Sequence, residues 1–186
     1  MLNTRPIQRG FTLLEVVVTF AIIGILIVIA VPSFQHWVAN AQIRNAAEGI
    51  LNGMQSARAE AVRRNVGVQL VLNSGSGWTI NSLDNIGVAI QTRDAGEGSA
   101  NSVVTTTASD GTPADRITFN GMGWIITNNN GSKSIGRVDV TSATLTGTEI
   151  RPLRIVVSSG GAMKMCDPNA AITAPDPRAC PTTWSF

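Results

Sequence analysis

The chain of 186 residues contains one histidine, His36, and two cysteines, Cys166 and Cys180. A lone histidine rules out a metal site built from several imidazoles and leaves a Ser-His-Asp triad no spare choices. The cysteines, both in the tail, lack the paired spacings of a zinc site. No glycine-rich phosphate loop precedes a helix, and Ser158-Ser159-Gly160-Gly161 reads as a turn. No internal repeat is present. These absences argue against an enzyme, a metal and a cofactor. Charge is also scarce: 14% of residues are charged, against about a quarter in an ordinary soluble domain. The formal net charge of +2 comes from Arg5 and Arg9. Without them 12 basic residues face 12 acidic ones, and from Val66 onward eight face nine. A C-terminal part so balanced has no overall field for nucleic acid.

What the chain does have is one long apolar run. Between Gly10 and Pro32 lie 21 residues, of which Glu15 alone is charged. As a helix the run is about as long as the roughly 30 Å hydrocarbon core of a bilayer. A carboxylate placed there costs about 2.5–3.5 kcal/mol even on lenient insertion scales, which suggests a task for Glu15. The simpler alternative is that Glu15 lies near the end of the span and reaches the headgroups. Arg5 and Arg9 before the run place the N-terminus in the cytoplasm and the remainder outside. In such an oxidising compartment Cys166 and Cys180 can close a loop of about 15 residues, worth roughly 3 kcal/mol by chain entropy. Otherwise they remain free thiols. An ordinary secretory signal is the competing reading of the N-terminus, with Ala39-Asn40-Ala41 as a small-x-small cleavage site. The run exceeds the usual apolar length of such signals, and the helical pattern passes through that site without a break.

Arg9-Gly10-Phe11-Thr12-Leu13-Leu14-Glu15 resembles the processing site of type IV pilins and the related type II secretion pseudopilins. The resemblance implies that a prepilin peptidase cuts between Gly10 and Phe11 and methylates the amine of Phe11. It also implies that Glu15, fifth in the mature chain, pairs with the N-terminal amine of a neighbouring subunit. Two such charges in hydrocarbon are each unfavourable alone, and mutual neutralisation offsets part of the cost.

From Ser33 to about Arg64 the pattern is helical: Phe34, Trp37, Val38, Ala41, Ala46, Ile50, Met54, Ala57 and Ala61 recur mostly at spacings of three and four. A helix from Phe11 to Arg64 would be about 80 Å long. Pro32 is expected to kink it or melt it locally. Gly49 and Gly53, one turn apart, each weaken a helix by about 1 kcal/mol; they either let a sheet pack closely or are simply two tolerated glycines. Asn65 is a plausible helix stop. The segment Ser56-Ala57-Arg58-Ala59-Glu60-Ala61-Val62-Arg63-Arg64-Asn65 resembles a signature of the GspH/FimT (FimU-like) family of minor pilins and pseudopilins. A charged helix end feeding a strand explains these residues without a binding site.

Beyond Asn65 the periodicity becomes that of strands: Val66–Leu72, an Asn73–Gly77 turn, then Trp78–Ile80 as hairpin partner. Further candidates are Gly87–Thr92, Arg116–Phe119, Gly123–Thr127, Arg137–Val140, Leu153–Val157 and Ala162–Cys166. Asp115 to Gly123 resembles the central strand and turn of the same family, with Gly121 and Gly123 supplying positive φ. Asp94–Thr112, rich in Gly, Ser and Thr, is expected to be a long surface loop. The proline-rich tail is expected to be irregular and pinned by a Cys166–Cys180 bond.

The resemblance implies an α+β, type IV pilin-like fold: a long N-terminal helix, membrane-spanning in its first half, on a C-terminal antiparallel sheet. The expected division is a leader (1–10), an assembly helix (11–32), an amphipathic helix (33–65), a β-rich head (66–166) and a stapled tail (167–186). It implies a minor pilin that initiates or links type IV pilus assembly near the tip. The subunit would be held once through the inner membrane, with its head in the periplasm, before joining the surface fibre. Implied partners are other minor and major pilins, the prepilin peptidase and the inner-membrane assembly platform. The secretion pseudopilin GspH is the alternative. Some family members bind DNA through Gly-Arg-x-Arg before the first cysteine. Here the matching residues are Gly161-Ala162-Met163-Lys164, so Lys164, with Arg154 nearby, is what remains of that contact and DNA binding is not favoured.

Overall fold

The computed structural model describes residues 10–85 and 88–181. Its first element, α1, spans Leu13–Arg64. It starts where Thr12 caps it: the Glu15 amide donates to Thr12 Oγ1 at 3.2 Å and the Val16 amide to the Thr12 carbonyl at 3.2 Å. A threonine with glutamate three residues on is a favourable opening for a helix. The helix continues through Pro32. It ends at Asn65, which takes φ 53°. The Asn65 amide donates to the Val62 carbonyl and the Val66 amide to that of Ala61, both at 3.3 Å. That paired closure usually uses glycine, and asparagine is the residue that best tolerates the same left-handed turn.

The chain divides into two compact units at Trp37/Val38. In the first, Gly10 to Gln35 are all exposed. Phe34 and Trp37, expected in the packing stripe, are 62% and 67% exposed, with ring centroids 5.8 Å apart. The buried stripe begins only at Ala39 and runs through Ile43, Ala46, Ala47, Ile50, Gly53, Met54, Ala57 and Ala61. Gly49 and Gly53 both serve close approach. A Cβ on Gly53 would lie 2.6 Å from the Trp78 ring, and one on Gly49 would overlap the Arg93 guanidinium. The Trp78 indole N–H donates to the Gly49 carbonyl at 3.0 Å.

Nine strands follow among the described residues: β1 Val68–Leu72, β2 Trp78–Ser82, β3 Ala89–Arg93, β4 Ser102–Thr107, β5 Arg116–Phe119, β6 Ile125–Ile126, β7 Arg137–Ser142, β8 Leu153–Val157 and β9 Met163–Cys166. They form two sheets, β3-β2-β1-β5-β6 and β4-β7-β8-β9, antiparallel throughout. Alternate residues Val68, Leu70, Ile80, Ile117 and Phe119 of the first sheet, and Val138, Val140, Ile155 and Val157 of the second, join the helix stripe in one core. That period-two burial fixes the register, because a slip of one residue would turn each set to the other face.

One expected loop is a correction. Within Asp94–Thr112 the run Ser102–Thr107 is β4, paired residue by residue with β7 from Ser102↔Ser142 to Thr107↔Arg137. Threonine and valine are β-branched and suit a strand, whereas composition alone groups threonine with loop residues. The expected strand Gly87–Thr92 begins at a residue outside those described. The outer face of the first sheet is polar but satisfied: Gln69 Nε2 donates to Thr118 Oγ1, which donates to Asn128 Oδ1, while Asn128 Nδ2 donates to the Ser132 carbonyl. Cys166 and Cys180 are disulfide-bonded with Cα atoms 4.9 Å apart. The Asp167 amide donates to the Arg178 carbonyl at 2.8 Å, holding the tail beside the end of β9. The expected tail extends to Phe186, and residues 182–186 lie outside those described.

Candidate functional site

The first turn of α1 gathers the residues singled out in the sequence. Gly10, Phe11 and Thr12 precede the helix and are exposed, so the Gly10–Phe11 bond lies in accessible, non-helical backbone. Glu15 is the acidic residue of the first helical turn, where the unpaired amides at a helix N-terminus favour negative charge. Leu13, Leu14, Val16 and Val17 around it are exposed, as are the large apolar side chains onward to Val31. In water such a surface is costly at about 25 cal/mol per Å² of apolar area. This is the one helix among the described residues long and apolar enough to cross a membrane; its best window has a mean hydropathy of 2.9 and no buried residue.

Ala39-Asn40-Ala41, the competing cleavage site, lies inside the helix. Ala39 is buried. The Asn40 amide clamps a distant loop, with Nδ2 donating to the Glu149 carbonyl and Oδ1 accepting from the Arg151 amide, each at 2.8 Å. A peptidase would have to undo this packing to reach the bond. No sequence signal marked that clamp, since Asn40 reads as an ordinary polar helix residue.

At the other end of α1, Arg58 Nε donates to the Gly123 carbonyl at 2.9 Å. Gly123 has φ +77°, as its turn requires. Gly121 does not have positive φ, which corrects its expected role. A Cβ there would overlap Asn65 Oδ1 and lie 3.0 Å from the Asn65 Cα, so this glycine lets the turn close onto the helix end. Arg63 and Arg64 both bind Glu60, Nη2 of Arg63 at 2.6 Å and Nε of Arg64 at 2.7 Å. Hydrogen bonds from Arg63, then Arg64, hold the Glu60 carboxyl below its ordinary range.

Strand register places Arg154 opposite Cys166 and Val156 opposite Lys164, so Arg154 and Lys164 share a face as diagonal neighbours. Both are already engaged. Arg154 Nε donates to Asp139 Oδ1 at 2.6 Å, Asp139 also meets Arg137, and Lys164 Nζ donates to the Ala179 carbonyl. Arg178 is paired with Asp176. This arrangement adds nothing to a nucleic-acid contact. No group of three or more metal-binding side chains occurs among the described residues.

Residues 46–161 match the family model described as type II transport protein GspH. The chain belongs to the GspH family. Residues 5–31 also match the prokaryotic N-terminal methylation motif. The chain is 43% identical over 54 residues to a fimbrial protein of Moraxella nonliquefaciens, covering 27% of this chain and 35% of that protein. It is 41% identical over 56 residues to the type IV major pilin protein PilE1 of Neisseria gonorrhoeae, covering 30% and 33%. The match thus spans about a third of the length of these relatives. A crystal structure of the type IV minor pilin FimU of Pseudomonas aeruginosa aligns with TM-score 0.48 and 16% identity over 66% of this chain and 87% of that one.

Proposed function

We propose that this GspH-family chain is a minor subunit of a type IV pilus that initiates or links assembly near the tip. The observation that carries the reading is the exposed apolar first half of α1 with Glu15 as its single charge, within the stretch that matches the methylation motif. The prepilin peptidase cuts between Gly10 and Phe11 and methylates Phe11. The helix then waits in the inner membrane, with the head in the periplasm, until the assembly platform passes it into the surface fibre. There its apolar surface packs on helices of other pilins, and Glu15 neutralises a neighbour's N-terminal amine. Pro32, which withholds one amide from the helix, is the point where α1 bends or opens under that packing.

Glu15→Ala tests the assembly step. The variant is expected to insert in the membrane and be processed, yet to be missing from sheared surface fibres in immunoblots. Normal incorporation would refute the role of Glu15. A second reading, a pseudopilin of type II secretion, is favoured by the description of the matching family model. The pilin relatives favour the pilus. Deletion separates the two: loss of twitching and fibres for a pilus, retained exoproteins for secretion.

A further inference from the structure

Phe34 and Trp37, the two aromatic residues of α1 that the core leaves out, follow directly on the apolar run. They lie three positions apart and so share one helix face. Their ring centroids are 5.8 Å apart, with the planes tilted by 32°. Trp78 shows how this chain packs a tryptophan in its core: the ring is buried, and its indole N–H donates to the Gly49 carbonyl. Trp37 has no such cover, because the buried stripe begins only at Ala39.

Position and company identify what covers the pair. From Val16 to Pro32 the exposed helix carries Thr19 as its single polar side chain, and the Thr19 hydroxyl donates back to the Val16 carbonyl at 2.8 Å. That surface suits hydrocarbon. The next turn is mixed, with Ser33, Gln35 and His36 set among Phe34 and Trp37. A turn offering both kinds of side chain fits a water–lipid boundary, where tryptophan, with its apolar ring and polar N–H, is enriched. The spacing agrees. At about 1.5 Å per residue, Glu15 and Phe34 stand about 28 Å apart along the helix, close to the roughly 30 Å of bilayer hydrocarbon, and Trp37 lies about 4.5 Å further on, at headgroup depth. We infer that Phe34 and Trp37 seat in the outer-leaflet boundary of the bilayer and fix the depth at which the helix waits there. This rests on the membrane step of the reading above. Once the cut removes Arg5 and Arg9 with the leader, the aromatic pair marks the outer boundary and thereby holds Glu15 at the inner one.

Quenching of tryptophan fluorescence by brominated lipid tests it. The full chain is reconstituted at low protein-to-lipid ratio in phosphatidylcholine vesicles whose bromines lie near either the headgroup end or the methyl end of the acyl chains. Subtracting the signal of Trp37→Leu isolates Trp37 from the chain's four tryptophans. Ile23→Trp, read as its difference from the parent chain, is the mid-span reference. The deep bromines should dominate quenching of Ile23→Trp, and the shallow ones should quench Trp37 about threefold more than the deep ones do. Replacing Phe34 and Trp37 together by alanine should lower the deep-to-shallow ratio of the Ile23→Trp signal by about twofold, as the helix loses its depth marker. Deep quenching of Ile23→Trp with none of Trp37 would show the pair facing water or a second copy; it would overturn this inference and leave the membrane step standing. Equal or mainly deep quenching of Trp37 would also overturn it, as would an Ile23→Trp ratio untouched by the double replacement. No quenching of Ile23→Trp would remove the membrane step and this inference together.

Discussion

Residues 13–37 and 38–64 belong to one helix, yet they use apolar residues in opposite ways. The first stretch is rich in valine, isoleucine, leucine and phenylalanine, and these side chains are exposed. The second buries a stripe in which alanine and glycine outnumber large side chains. Hydropathy therefore measures which solvent a surface seeks, while residue size measures how closely a neighbour can approach. A helix that presents branched side chains all round suits lipid or a bundle of like helices. One that presents alanine and glycine along a single stripe suits a sheet that comes near its backbone.

Paired substitutions test this contrast by the head's thermal unfolding in detergent-solubilised full-length chain. Ile50→Ala empties a fully buried site and should cost about 4 kcal/mol. Ile25→Ala, on the exposed half, should leave the head's transition unmoved. Gly53→Val drives a side chain into the Trp78 ring and should cost about 3 kcal/mol. Gly24, with nothing within 4 Å of a Cβ, should accept valine with no shift in that transition. Equal losses within either pair would contradict the division. Removing the tail's staple by Cys166→Ser with Cys180→Ser should cost up to about 3 kcal/mol by loop entropy, and a reductant should mimic it.

Acid gives the smallest effect. Hydrogen bonds from Arg63 and Arg64 lower the Glu60 carboxyl, and one from Arg116 lowers that of Asp115. A depressed folded pKa gives stability above the unfolded pKa, lost as pH falls through the folded value. The head's melting temperature should therefore be level from pH 7 to about 5 and decline below about pH 4. Glu60→Gln with Asp115→Asn should flatten part of that decline, and an unchanged slope would show that these pairs carry none of it.

Much of this was legible in the sequence because it rests on local chemistry. Asn65 marks the helix stop, and the changed periodicity in Val66–Leu72 and Leu153–Val157 marks strands. Gly49 and Gly53 stood out as a pair one turn apart, with close approach as one of two readings, and Trp78 and Arg93 decide for it. What escaped depends on partners distant in the chain. β4 is a strand because β7 lies beside it, and its threonines alone look like a loop. Phe34 and Trp37 continue the helical spacing but precede the first buried position, Ala39. Gly121 sits where Asn65 comes close, and nothing near residue 121 announces residue 65. The Arg58–Gly123 bond joins two segments that each bear a family resemblance, but their meeting is a property of the fold.

Under the proposed function, the apolar half of α1 is uncovered by a cut between Gly10 and Phe11 and kept in the mature subunit. Intact-mass and N-terminal peptide analysis of the chain recovered from surface fibres tests it most directly. The expected polypeptide begins at N-methylated Phe11 and retains the whole apolar run. A chain beginning at Gln42, recovered as a water-soluble protein without that run, would contradict it.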